Sequence, residues 1–489
     1  MGYFVLAFRY KMRRSMKRDL TCTIIITTGL MALLFAPVLS ALASQEGTPF
    51  HTRMSPCESP YKKKTIPFKV LKQILRAHEQ WLDDREVPGG RRANLCQADL
   101  QGATLTAINL ERIYLEGAIL RSANLHHTSF IQASLAGADL TNANLEDASL
   151  GRADLRKAIL SHANLVRAVG EEAALYFAIL NGALLHDSIF ERAHFEGADL
   201  QSADLRNANL TDTYFYGANL YRAVLSGADL LGADLRRANL SLATLQQTSL
   251  QGVLLDGAQL AGARMSGADL EGAYLDEANL MNAKLNEALL RGADLRFANL
   301  ESASFEQADL EGANFEGGHL HKTNLRSANL RKTIFYYAVL NGTDFQEARL
   351  HNAIFIGARG KETIFTKADL SDIYAPRVSL KGAHLNEAKL ESANLVGADL
   401  SGSNLTRSDL TDANLQEANL RGAILSRADF SHARLDKADL HRAQLDGADL
   451  SSVIGLTQPQ LDAACLDEQT KLPPDLNRPA LCKRTTTKR

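Results

Sequence analysis

The sequence predicts an all-β solenoid, a chain wound into short sides that stack as a rod. Three observations predict it: a large apolar residue at every fifth position, a small residue two places before it, and glycine two places after it. From Leu95 to Leu450 there are 72 such fifth positions, of which Leu fills 57 and Phe 11. Met265 fills one more, and only Gly170, Gly360 and Ala375 depart from the rule. Ala occupies 56 of the positions two residues earlier, from Ala93 to Ala448. Of the 33 glycines, 23 fall two residues after the central residue.

A period of five belongs to neither ordinary element. In an α-helix a step of five advances about 140°, so the leucines would spiral over every face. In a flat strand an odd step puts successive leucines on opposite faces. All of them point inward only if the chain turns a corner every five residues, and four corners close a square coil. The residue two places before each central one must then be small, because four sides converge on a narrow interior. Glycine suits the corner. Asp or Asn before the central residue, as in Asp99, Asn124, Asp139 and Asn144, can bond the nearby turn backbone.

Composition agrees. The 489 residues are 45% hydrophobic, too many for a disordered chain, while aromatics are only 6%, too few for an ordinary mixed core. A net charge of -2 argues against a protein held to nucleic acid by its overall charge. By region, residues 1–90 carry net +7, residues 91–455 net -11 and residues 456–489 net +2.

The amino terminus reads as an export signal, residues 1–43. Arg9, Lys11, Arg13, Arg14, Lys17 and Arg18 precede an uncharged run from Leu20 to Gln45, which contains Ala41-Leu42-Ala43, a small-x-small cleavage pattern. The alternative is an uncleaved anchor with residues 20–45 in the membrane. Both readings put the body outside the cytoplasm, in the bacterial periplasm or another extracytoplasmic compartment. Cleavage would remove Cys22 and leave Cys57, Cys96, Cys465 and Cys482, two at each end. In an oxidising compartment the expected pairs are Cys57–Cys96 and Cys465–Cys482.

The units Ala-Asp-Leu-Gln-Gly, Ala-Asn-Leu-Glu-Asp and Ala-Asp-Leu-Arg-Lys resemble the A-(D/N)-L-x-x units of the pentapeptide-repeat family. The resemblance covers about three quarters of the chain and implies a right-handed quadrilateral β-helix. Residues 91–455 would make roughly 18 coils, ~85 Å long at the ~4.8 Å spacing of strands. The expected organisation is then a signal at 1–43, a flexible linker at 44–66, and an N-terminal capping helix and turn at 67–90. The repeat follows at 91–455, with a C-terminal cap and basic tail at 456–489. Helical caps are expected at both ends because a terminal coil exposes its core and its backbone edge. Val70, Leu71, Ile74, Leu75, His78 and Leu82 line one helical face, with Trp81 at its margin and His78 a packed core-edge histidine. Pro459 suits the first turn of a helix in the second cap.

Two irregular places are expected inside the repeat. Gly170 leaves a corner without its core side chain. From Gly360 to Val378, Gly360 and Ala375 break the pattern, Ile373 and Val378 crowd the small slot, and Pro376 is expected to remove a ladder donor and bulge or kink the rod without losing register.

Specificity must lie on the outside. Within residues 91–455, ten of the eleven aromatics outside the central column share the side of Leu115: Tyr114, Tyr176, Phe177, Tyr214, Tyr216, Tyr274, Phe297, Tyr336, Tyr337 and Tyr374. They form a candidate contact face for another copy, a protein partner or a glycan. The competing reading is that the rings pack on their own backbone, or that a terminal segment folds over them. Core Phe315, Phe335 and Phe355 should stack as a ladder. The side of Leu100 carries a basic bias through Arg121, Arg222, Lys322, Lys361, Lys381, Arg421 and Arg442, read as a solvated face. No catalytic, cofactor or metal signature emerges. His126-His127 and His319/His321 have no fixed partners to complete a metal site, and the glycines mark corners, not phosphate cradles.

The reading of function is therefore a non-enzymatic, exported structural or interaction scaffold. It takes no cofactor or nucleic acid, and its partner is an unknown protein or a second copy. The alternative comes from the resemblance: some pentapeptide-repeat proteins mimic DNA and protect type II topoisomerases. The export signal and the modest acidity count against it.

Overall fold

The computed structural model describes residue 57 and residues 59–83 and 90–479. The export segment and Cys482 lie outside the described residues.

The fold follows from where each residue's backbone groups go. Take a central residue such as Leu120. Its N–H donates to the carbonyl of Asp139 at 2.7 Å, one coil on; that of Asn124 donates one coil back, to Ala103, at 2.9 Å. The N–H of Ser122 also reaches the next coil, to Thr141 at 2.9 Å. Ala123 closes the corner with a 3.1 Å bond to the carbonyl of Leu120. The fifth amide, just after the central residue, is taken by the side chain before it: Thr141 N–H donates to Asp139 Oδ1 at 3.1 Å. Where Asp or Asn stands before the central residue, every donor of the five-residue unit thus has a partner, and this is why Asp and Asn stand there so often.

Parallel pairing joins residues 20 apart, from Asn94 with Tyr114 through Arg434 with Ile454. Four five-residue sides therefore make one turn. Each corner is a β-turn whose third residue has positive φ, as in a type II turn. Glycine fills many of these places, for example Gly102 at +65°. Arg, Glu, Lys, Asp and Ser accept the same conformation elsewhere, as do Leu242, Phe177 and Tyr337. Each such non-glycine residue costs roughly 1–2 kcal/mol against a right-handed conformation, which the surrounding ladder offsets.

Inside, the central residues and the small residues before them form one continuous buried cluster. Where Thr or Ser replaces Ala, its hydroxyl bonds a central carbonyl: Thr343 Oγ1 donates to Leu320 O at 2.6 Å and Ser188 Oγ to Leu185 O at 2.6 Å. The phenylalanine ladder is present, with Phe315–Phe335 and Phe335–Phe355 stacked at 5.1 and 4.7 Å between centroids. A second stack, Phe345–Phe365 at 4.8 Å, stands across the interior and meets the first edge-on.

The structure corrects the two expected weak points. At Gly170 nothing is empty: a Cβ there would lie 2.2 Å from Cε1 of Phe190, whose ring, one coil on, fills the space. At 360–378 the ladder keeps its step of 20, with Ile354 on Tyr374 and Tyr374 on Asn394. Pro376 removes no ladder donor, because it takes the place after the central residue, whose amide elsewhere faces the Asp or Asn side chain. That place is the second residue of the turn, where proline is favoured. The small slot also accepts its large occupants, since Ile373 and Val378 are both buried. The defect is in packing: Ala375, standing where Leu is the rule, adjoins a void with about 10 Å³ open to the centre of a water molecule, walled by Phe355, Phe365, Leu370 and Leu380.

At the N-terminal side, α1 (Phe68–Asp83) buries Leu71 and His78. Residues 59–66, read above as part of a linker, are instead paired with the first coil. Lys63 N–H donates to Gln97 O at 2.7 Å, Thr65 bridges Asp99, and Ile66 enters the core. Cys57 and Cys96 are disulfide-bonded, Cα to Cα 5.9 Å. At the other end the short helix α2 (Gln458–Asp462) begins at Thr457 with Pro459 in its first turn. Gln460 Nε2 donates to the carbonyls of Leu435 and Ala438 at 2.8 and 2.9 Å. Beyond it the coil resumes: Cys465 bridges Gln444, Lys471 bridges Asp449, and Leu461, Leu466 and Thr470 are buried. Cys465 is also disulfide-bonded. Among the described residues no helix is long and apolar enough to cross a membrane.

Candidate functional site

The corner geometry decides what each outward aromatic can do. Phe177, Phe297 and Tyr337 occupy the left-handed corner position, at φ of 57°, 54° and 55°. Each ring leans over the corner of the next coil, and that corner is glycine in all three cases. A Cβ on Gly197, Gly317 or Gly357 would come within 2.5–2.6 Å of the ring below it. The same rule holds for Leu242 over Gly262 and His162 over Gly182. The sequence carries this signal as a bulky corner residue followed 20 positions later by glycine, a pairing the five-residue reading passes over. Packed on one edge, these rings still stay open to water: Phe177 is 61%, Phe297 53% and Tyr337 66% exposed.

Aromatics flanking the central residue behave differently. Tyr176, His194 and Tyr214 stack in three successive coils, with centroids 4.9 and 4.7 Å apart. His194 Nδ1 lies 3.1 Å from Glu196 Oε1. Burial, reinforced by the Glu196 carboxylate and Tyr214, pushes the Tyr176 hydroxyl up to about 12. Tyr214, Tyr216 and Tyr374 are exposed, whereas Tyr274 and Tyr336 are half-buried. Tyr114 is covered by the first coil: the Arg92 guanidinium sits 3.5 Å over its ring and Nη1 donates to its hydroxyl at 2.5 Å. Of the competing readings of the aromatic side, packing is realised at the glycine corners, and Tyr114 is covered by Arg92 of the preceding coil. What remains open is Phe177, Tyr214, Tyr216, Phe297, Tyr337 and Tyr374. Among the described residues, six of the seven exposed aromatic side chains lie on this one side, the seventh being Phe68 of α1.

Part of the basic bias on the Leu100 side is offset by carboxylates one coil on. Arg121 pairs with Asp139 at 2.5 Å, Lys381 with Asp399 at 3.1 Å and Arg421 with Asp439 at 3.1 Å. Burial works against the charge of Asp139, but hydrogen bonds from Thr141 and Arg121 hold its carboxyl below the usual range.

Among the described residues, two groups of ligand-type atoms converge: Cys57, Cys96 and Glu116, and His126, His127 and Asp147. The first holds the disulfide. In the second, Arg167 donates to both carboxylate oxygens of Asp147, at 2.8 and 2.7 Å, and so stands where a cation would bind. These bonds hold the Asp147 carboxyl low. His319 and His321 belong to neither group.

The family model for pentapeptide repeats matches residues 98–374 in overlapping segments, then 377–412 and 413–451. The chain is a pentapeptide-repeat protein. Its coil is accordingly the right-handed quadrilateral β-helix of that family. Among solved structures, this pentapeptide-repeat protein is similar to HetL, involved in heterocyst differentiation regulation in the cyanobacterium Nostoc sp. strain PCC 7120. The two are 39% identical, over 41% of this chain and 89% of HetL, with a TM-score of 0.30. It is also similar to a pentapeptide repeat protein of the Arabidopsis thaliana thylakoid lumen, at 32% identity over 20% of this chain and 68% of that one, TM-score 0.20. For Rfr23 of the cyanobacterium Cyanothece 51142 the figures are 30% identity, 23% and 64% coverage, and a TM-score of 0.17. No curated protein matches the chain.

Proposed function

We propose that this pentapeptide-repeat protein is an exported, non-enzymatic scaffold that binds another protein chain through its aromatic side. One observation carries the reading: among the described residues, six of the seven exposed aromatic rings gather on one of the four sides, whereas the exposed aliphatics Ile131, Ile179, Leu184, Ile189, Leu231, Leu242 and Leu289 are spread over the other three. A rod of about 18 coils, covered by α1 at one end and by α2 with its following segment at the other, would hold these rings at fixed spacing. Partly exposed aromatics on a rigid surface bind with little loss of side-chain entropy. Export rests on the basic and apolar pattern of residues 1–43 and is supported by the Cys57–Cys96 disulfide.

The test replaces Phe177, Tyr214, Phe297 and Tyr337 by Ser. Sedimentation velocity then reads self-association, and a pull-down from the extracytoplasmic fraction compares wild type with variant. Loss of association with unchanged far-UV circular dichroism is the expected result; identical profiles reject the contact face. N-terminal sequencing of the protein from separated cell fractions tests export and cleavage. The DNA-mimic alternative draws no support from the surface, because the acidic columns are interleaved with arginine and lysine partners.

A further inference from the structure

One histidine fastens α1 to the first coil. His78 is fully buried, and both ring nitrogens are committed to backbone groups of the coil. Ala93 N–H donates to Nδ1 at 3.2 Å, and Nε2 lies 3.0 Å from the carbonyl of Glu111. Only one form of the ring satisfies both bonds: Nδ1 bare to accept, Nε2 protonated to donate. A second proton, on Nδ1, would set one N–H against another. Trp81 stacks on the ring at 5.6 Å. From the coil, the charged group facing His78 is Arg92, while Glu111 offers only its carbonyl; Arg112, Glu116 and Tyr114 act on Arg92. On α1 itself Arg76, Glu79 and Asp83 point to solvent.

We propose that His78 is a pH-sensitive latch: protonation of its ring releases α1 from the end of the repeat and uncovers the core there. Burial, then the nearby Arg92 charge, holds the docked histidine below its ordinary value. The docked state therefore binds fewer protons than the released one. Docking is at full strength above the ordinary histidine value of about 6.5 and is lost as pH falls below it, by up to tenfold per pH unit. Release would withdraw Leu71 from the core cluster. The helix stays tethered, because the Cys57–Cys96 disulfide and the Thr65–Asp99 pairing hold the chain just before it. The device does not depend on which partner the aromatic side takes.

The chain has a single tryptophan, and it stacks on the latch. The experiment uses the full chain between pH 8 and pH 5, reading Trp81 fluorescence and hydrogen exchange of residues 68–83. Protection of that segment, corrected for intrinsic exchange, should fall as the pH drops below about 6.5, while peptides from the coils hold theirs. The His78→Gln variant should lose this pH dependence. An undiminished acid response in His78→Gln, or none in the wild type, overturns the proposal. If His78→Gln does not dock at any pH, NMR of selectively labelled histidine in the wild type decides. A neutral ring protonated on Nε2 and titrating below 6.5 sustains the latch; a proton on Nδ1, or titration at or above 6.5, overturns it.

Discussion

Replacing Gly170 by leucine separates the five-residue pattern from the packed structure. The pattern treats Gly170 as a missing core residue, and restoring Leu there should add about 1.5–3 kcal/mol of burial. The structure reverses the sign. A Cβ alone would stand 2.2 Å from Cε1 and 2.5 Å from Cδ1 of Phe190, against the ~3.5–4.0 Å of normal carbon contact. Three further carbons would follow into the same space. The ring cannot move freely, because Phe195 meets it edge-on with centroids 5.6 Å apart. Overpacking of this kind costs about 1–3 kcal/mol. Phe190→Leu alone removes ring atoms from beneath Gly170 and should cost about 1 kcal/mol or more. In Gly170→Leu/Phe190→Leu the two residues share the space, so the combined loss should be smaller than the sum, with a coupling of about 1 kcal/mol or more. Urea unfolding followed by circular dichroism measures the totals. Hydrogen exchange over residues 165–195 localises them, since repeat arrays can open coil by coil. A stabilised Gly170→Leu, or strictly additive losses, would refute the packing argument.

Other expectations concern single contacts. Gly102→Ala and Gly357→Ala both force a left-handed alanine, at φ of +65° and +68°, but only the second meets a ring, Tyr337 at 2.6 Å. The first should cost roughly 1 kcal/mol. The second should cost measurably more in thermal melts, and equal losses would show that the ring does not pack there. Thr343→Val keeps shape but deletes the bond to Leu320 O, and should lose about 1 kcal/mol in denaturant titration. Arg206 holds the Asp204 carboxyl below the usual range, chiefly by a side-chain hydrogen bond. Stability from that pair is present above the ordinary carboxylate value and is lost as pH falls through the lowered one. In Arg206→Gln, carboxyl NMR should show Asp204 titrating higher; an unchanged titration would exclude the bond.

The repeat was legible because its rule is local. Five residues specify one side and one corner, and a central Leu with Ala before it has one arrangement that buries both. Handedness came with family resemblance, since the spacing of leucines is the same in either hand. The aromatic side was also legible, because residues 20 apart must share a face once the coil is square. Which of those aromatics stay open was not: Tyr114 lies under Arg92, and Tyr176 is stacked beneath His194. Those contacts join residues about a coil apart, outside any five-residue window.

The amino-acid order alone determined the coil, its core and the position of each corner, because a periodic pattern meets the same neighbours at every turn. Tertiary structure decided the exceptions. Phe190 fills the place of Gly170, Pro376 falls on an amide the ladder does not draw upon, and His78 finds its two backbone partners across the end of the rod. Each depends on what one coil, or the helix at the end, presents to the next. That is settled by side-chain volume and hydrogen-bond direction in three dimensions, quantities that repeat spacing does not encode.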